Sequence, residues 1–205
     1  MKVLLINGSP HKDGCTNRAL SEVAYALGTS GIDSEIVWIG TDAKHGCIAC
    51  GGCKETKQCV FDDGVNEISE KMAECDGLVI GSPVYYAGPN GALCAMLDRL
   101  FGFCPYLAHK PAAAVVSARR GGTTAALDKL NKYFTIRQMP VVSSTYWNMV
   151  HGSKKEEVNE DKEGLQSMRN LGKNMAWLIK CIKAGKDAGI MVPMSETGAR
   201  TNFVR

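Results

Sequence analysis

Short apolar runs alternate with longer stretches of helical periodicity along this chain. Residues 3–6 form a continuous apolar run inside Lys2–Asn7, the pattern of a strand buried on both faces. From residue 15 to about 28, Ala19, Leu20, Val23, Ala24 and Leu27 recur at helical spacing. Residues 34–39 read as a second strand, 77–81 as a third, 112–117 as a fourth and 141–146 as a fifth. Helical faces fall between them: Val65, Ile68 and Met72; then Leu93, Met96, Leu97 and Leu100 within 90–101; then a helix over Thr123–Ile136. A long helix is predicted over 156–184, with Leu165, Met168, Leu171, Met175, Leu178, Ile179 and Ile182 on its apolar stripe. Ser153 and Glu156 stand in capping-box spacing at its start. Five strands alternating with five helices predict an α/β fold with a parallel sheet covered on both faces. The pattern predicts one domain over 1–185, including a cysteine-rich loop at 40–63. Residues 186–205 then form an arm suited to docking on a neighbouring subunit.

In such a sheet a ligand binds beyond the carboxyl ends of the strands. Three of the loops there have unusual composition. NGSPHKDGCTN (7–17) offers a tight turn at Gly8, short polar groups at Ser9, Thr16 and Asn17, and a helix start whose free N–H groups suit a phosphate. It contains neither the G-K-[ST] of a P-loop nor a G-x-G-x-x-G turn. GSPVYYAGPNG (81–91) places Tyr85 and Tyr86 beside Pro83, with glycines that let backbone approach a flat ring. SARRGGTT (117–124) sets Arg119 and Arg120 at a helix start, where each is either a ligand contact or a solvated charge. Converging on one sheet edge, the three loops define a concave site with a phosphate end and a flat-ring end.

Composition narrows the partners. The 205 residues are 45% hydrophobic and 22% charged, with a net charge of +3 and no basic stripe, so nucleic acid is not an expected partner. No apolar stretch is long enough for a membrane span or a signal peptide, which makes the cytoplasm the expected compartment. Thiols stay reduced there, so the nine cysteines are not expected to form a disulfide framework. Four of them, Cys47, Cys50, Cys53 and Cys59, fall in the run CIACGGCKETKQC. The C-x2-C-x2-C spacing allows three thiolates to wrap one iron–sulfur cubane, with Gly51 and Gly52 permitting the winding and Cys59 within reach. Zinc and unmetallated thiols remain alternatives on the residues alone. Cys75, Cys94, Cys104 and Cys181 are expected as buried small apolar groups, and Cys15 as a structural thiol at a helix start. His11, His45, His109 and His151 form no constellation, and no nucleophile–base or carboxylate pair calls for hydrolytic chemistry.

GSPHKDGCTN, the cysteine run with its following Asp62-Asp63, and GSPVYYAGPNG together resemble the flavodoxin-like NAD(P)H-dependent FMN reductase family, and within it the iron–sulfur flavoprotein group. The resemblance covers most of residues 1–185. It implies FMN, a sheet of order 2-1-3-4-5 and an electron-transferring oxidoreductase with no side-chain acid or base. Ser9, Thr16 and Asn17, joined by Lys12, would hold the FMN phosphate. Pro83, Val84, Tyr85, Tyr86 and Gly88 would line the isoalloxazine, with Ser117, Arg120 and Gly121 at its pyrimidine edge. The same resemblance implies a [4Fe–4S] cluster on Cys47, Cys50, Cys53 and Cys59. It also implies NAD(P)H or a ferredoxin-like protein as donor, and a homodimer or dimer of dimers. A non-enzymatic flavin carrier and a zinc-stabilised binding protein are the competing classes.

Overall fold

A computed structural model describes residues 1–201 and Phe203. Strand β1 (Lys2–Asn7) leads into helix α1 (Cys15–Thr29), strand β2 (Asp33–Trp38), a short helix α2 (Cys53–Thr56) in the cysteine loop, and helix α3 (Val65–Glu74). Strand β3 (Gly77–Tyr85) turns through a two-residue strand β4 (Gly88–Pro89) into helix α4 (Gly91–Phe103). Strand β5 (Ala112–Ala118), helix α5 (Thr123–Ile136), strand β6 (Met149–His151), a single-turn helix α6 (Lys155–Val158) and helix α7 (Lys162–Asp187) complete the order.

The sheet runs β2-β1-β3-β5-β6, all parallel, with β4 attached only as an antiparallel hairpin to β3. With that hairpin set aside, this is the expected 2-1-3-4-5 order. Period-two alternation divides the core cleanly. Leu4, Ile6, Leu78, Ile80, Ala114 and Val116 face α3, α4 and α5, whereas Val3, Leu5, Val79, Ala113 and Val115 face α1 and α7. Small alanines at Ala112, Ala113 and Ala114 let helices from both layers close on β5.

The last strand departs from its predicted position. Over 141–146 only Val141 forms a bridge, to Ala112; the chain then loops outward and returns as β6 at Met149–His151. The apolar residues that suggested a strand are split: Val142 is buried, but Val141 and Tyr146 are exposed. Such interruption is characteristic of a sheet edge, where one side of the ladder has no partner. The long helix also starts later. Asp161 is its N-cap, accepting from the Gly164 N–H at 2.9 Å. The Ser153 N–H instead donates to Glu157 Oε2 at 2.7 Å, so the expected capping box does not form.

Helix α1 and helix α7 pack side by side, and Glu22 joins them by pairing with Arg18, at 2.7 Å, and with Arg169. Partial burial pushes the Glu22 carboxyl up, but the two guanidinium groups outweigh it and hold the carboxyl below its ordinary value of 4.5. A depressed folded-state value contributes stability above the unfolded value, and that contribution is lost as pH falls through the folded one. Urea denaturation should therefore show Glu22→Gln less stable than the natural protein at pH 7, with the gap closing as pH is taken below 4.5.

Candidate functional site

At the carboxyl edge of the sheet, a cleft of about 490 Å³ is lined by the loop after β1 and the start of α1, by the last residues of β3 and β5 with Arg119, and by the segment after β6. The first wall is built from a network of backbone contacts. Asn7, fully buried at the end of β1, accepts from the Ser9 N–H at 3.1 Å and donates to the Lys12 carbonyl at 3.0 Å. Trp38 Nε1 donates to the Ser9 carbonyl at 2.7 Å, and Ser9 Oγ accepts from the His11 N–H at 3.1 Å. These bonds leave the Ser9 hydroxyl proton free to donate to a ligand. Thr16 Oγ1 and Ser117 Oγ lie 2.8 Å apart, tying the first loop to the end of β5.

Helix α1 begins at this wall. Its N-cap is Gly14, no side chain caps it, and its first turn holds no acidic residue. Uncapped N–H groups and the positive end of the helix dipole suit an anion. The cleft's described lining agrees: His11, Arg119 and Lys154 are present and no carboxylate is. A flavin phosphate fits this cradle, and the apolar wall of Pro83 and Val84 with Tyr85 suits a flat ring.

The structure brings Ser9, Thr16, Pro83, Val84, Tyr85 and Ser117 together in the cleft. The other expected residues lie around it. Lys12 is exposed, with Nζ 5.9 Å from the Trp38 ring centre, and Asn17 is half-buried in the first turn of α1. Gly88 pairs with Tyr85 in the hairpin, Tyr86 is fully exposed at its tip, and Arg120 and Gly121 are exposed before α5. His11, Arg119, Gly152, Ser153 and Lys154 also line the cleft. Of these, His11 and Arg119 fall in loops that the sequence singles out, whereas Gly152, Ser153 and Lys154 carry no motif. Cys15 also lines it, with Sγ 3.4 Å from the Gly152 carbonyl oxygen; burial pushes its thiol up, the opposite of an activated cysteine.

The hairpin tip is strained. Tyr86 and Ala87 have φ of 50° and 60°, the left-handed pair of a type I′ turn that usually selects Asn-Gly. Gly122 supports it, at φ 89°, where an added Cβ would lie 2.8 Å from Ala87 Cα. Gly122→Ala should cost about 1–3 kcal/mol of stability in urea denaturation, because strain and a backbone clash act together.

The cysteine loop builds a second cavity, of about 150 Å³, that shares no lining residue with the cleft. Cys47, Cys50, Cys53 and Cys59 all line it, with Ile48, Val60, Phe61 and Phe103 as its apolar wall. Ala49 and Gly51 at φ 53° and 78° wind the loop back on itself. Among the described residues, no three His, Cys, Asp or Glu side chains close around a single ion. A cubane makes a different demand: four thiolates around an inorganic core of several atoms, which suits a cavity with thiols on its walls. Asn66 grips Cys59 through both backbone groups, at 2.7 and 2.9 Å. Of the other cysteines, Cys75 and Cys104 are buried as expected. Cys94 is half-buried, and Cys181 is exposed because it falls on the outer face of α7.

Fold and cleft together define a flavodoxin-like protein. A model of the NADPH-dependent FMN reductase family matches residues 1–154, and the chain belongs to that family of flavin-dependent oxidoreductases. It is 34% identical over 192 residues to an iron-sulfur flavoprotein of Methanocaldococcus jannaschii, covering 89% of this chain and 100% of that one. An iron-sulfur flavoprotein of Methanosarcina thermophila is 28% identical over 194 residues, covering 91% and 100%. Among solved structures, an archaeal flavodoxin superposes with a TM-score of 0.60 at 15% identity, covering 88% of this chain and 99% of that one. No helix of the described residues is long and apolar enough to cross a membrane.

Proposed function

We propose that the protein binds FMN in the strand-end cleft and a [4Fe–4S] cluster on Cys47, Cys50, Cys53 and Cys59, and moves electrons from a reduced nicotinamide or ferredoxin-like donor to an acceptor. The observation that carries this reading is the pairing of two unlike cavities in one fold: a strand-end cleft whose lining includes Arg119 and Lys154 and no carboxylate, and a small apolar cavity with four thiols. Two relatives that share most of the chain's length are iron-sulfur flavoproteins by name.

FMN would supply two-electron chemistry that can be divided into single electrons, and a cluster would supply a one-electron partner. The chain's own work is binding, orientation and exclusion of water. The Ser9 hydroxyl and the first turn of α1 hold the phosphate. Pro83 and Val84 would pack against the flavin ring, and the strained hairpin keeps Tyr85 at the cleft wall. No side chain in the cleft is placed as an acid or base. Thr16 and Ser117 share one hydrogen bond, and burial pushes the Cys15 thiol up, away from thiolate character. Tyr86 and the tail residues Met191, Met194 and Phe203 are exposed apolar groups that a second copy of the chain would cover, as in a homodimer.

FMN binding is read by quenching of flavin fluorescence. Ser9→Ala should weaken it by about 10- to 150-fold, the worth of about 1.5–3 kcal/mol for a hydrogen bond to a charged group. Unchanged affinity in that variant removes the proposed phosphate contact. Protein purified without oxygen should carry iron and acid-labile sulfide in equal amounts. Replacing Cys47 and Cys50 by Ser should abolish both while flavin remains bound. Flavin without iron would make the protein a simple FMN reductase, and zinc would point to a structural site.

A further inference from the structure

We infer that Arg99 is a positioning residue that raises the reduction potential of the cysteine-loop centre through Cys59. The inference rests on the cluster reading above. Arg99 lies in α4 next to Asp98, with Gly102 and Phe103 on the same wall of the cysteine cavity, and its side chain is only 2% exposed. A full charge is rarely placed there without a partner. Asp63 is that partner, in a fork-to-fork pair with Nη1 to Oδ1 at 3.0 Å and Nη2 to Oδ2 at 2.5 Å.

An ion pair that served packing alone would end there. Instead Nη1 also reaches Cys59 Sγ at 3.5 Å. The Phe61 ring lies 5.7 Å from the guanidinium carbon, and His45 stacks on Phe61 at 4.2 Å. Lys44 Nζ donates to the Asp63 carbonyl at 2.8 Å. The cation is thus held against one sulfur by a carboxylate, a ring face and the Ala95 carbonyl of its own helix, which accepts from Arg99 Nε at 3.2 Å. Hydrogen bonds to ligating sulfurs and nearby fixed charge are the levers by which proteins tune cluster potentials. An N–H···S bond draws electron density from the sulfur, and the adjacent cation favours whichever state holds the extra electron.

The step itself balances simply. A cluster held by Cys47, Cys50, Cys53 and Cys59 would supply a one-electron couple, gaining its electron from the donor and losing it to the acceptor, with no bond made or broken and no proton moved. Asp63 stays ionised throughout: partial burial pushes its carboxyl up, but Arg99 outweighs that and holds it below the ordinary carboxylate range. Its negative charge opposes the effect of Arg99, so the two residues act on the potential with opposite signs. Arg99 prevails because it, and not Asp63, touches the sulfur.

The test is the midpoint potential of the full chain purified without oxygen. It is measured by dye-mediated titration followed by electron paramagnetic resonance, with iron and sulfide assayed on every sample. Arg99→Gln should move the midpoint to more negative values, changing the reduced-to-oxidised ratio at a fixed poise by at least tenfold, which is about 59 mV for a one-electron couple. Asp63→Asn should move it the other way. The double variant Arg99→Gln/Asp63→Asn leaves no unpaired buried charge, covers the case in which a single variant does not fold, and should stay below the natural protein because the sulfur contact is gone. A natural protein that carries a cluster, with a midpoint unmoved in these variants or moved in one direction by both single changes, overturns the role of Arg99 and leaves the cluster reading standing. A natural protein free of iron and sulfide overturns both.

Discussion

The close passage of β1 beside β3 is the constraint on which the rest of the structure depends. Asn7 pairs with Gly81 in parallel register, and the Gly8 N–H then donates to the Gly81 carbonyl at 2.9 Å. Neither glycine has room for a side chain. A Cβ on Gly8 would lie 2.5 Å from Leu93, and one on Gly81 would lie 2.7 Å from Leu20. That tight crossing brings the start of α1, the start of α4 and the ends of two central strands to one point. A buried parallel sheet sends every strand-end loop to the same edge. The glycines decide how closely the loops converge, and so whether a phosphate-sized ligand meets N–H groups or side chains.

Charge is distributed between the two cavities with a simple logic. The strand-end cleft is made attractive to anions by the exposed cations Arg119 and Lys154 and a bare helix start, all of which cost little because water reaches them. The cysteine cavity has its cation buried and neutralised by Asp63. A diffusible, negatively charged ligand calls for the first arrangement. A centre held by fixed covalent ligands calls for the second, since field strength near a sulfur depends on excluding water.

Most of the sheet was legible in the sequence because its strands are buried on both faces, and Val3–Leu5 or Leu78–Ile80 can be nothing polar. The edge was not. Val141 and Val142 look alike in sequence, and only the neighbouring ladder determines that one bridges Ala112 in the open while the other is buried. In the cleft, Ser9, Thr16 and Pro83 were readable because loop composition reports local backbone needs. Lys154 and Gly152 were not, since they arrive from a strand some 35 positions beyond β5 and carry no motif. Arg99 carried no distinguishing signal, since it follows Asp98 in a helix that reads as ordinary amphipathic sequence, and its partner Asp63 lies 36 positions earlier and is brought to it only by packing of α3 and α4.

Helix α4 joins these separate features into one device. Its N-cap, Asn90, accepts from the Ala92 N–H at 2.7 Å, and the Asn90 N–H itself donates to Ser82 Oγ at the end of β3, at 2.9 Å. The first turn is therefore fastened beside the wall of the cleft, and Leu93 packs beneath Gly8 of the loop after β1. Six residues further along, a rise of about 9 Å, Arg99 holds the loop of Cys59. A helix is stiff along its axis, so the separation of the two sites is fixed by covalent geometry rather than by the long cysteine loop, which could otherwise move. An electron-transfer protein needs that spacing constant and the loop chemistry adjustable. Placing the strand-end cleft on the first turn of one helix and the thiol side on its third satisfies both demands.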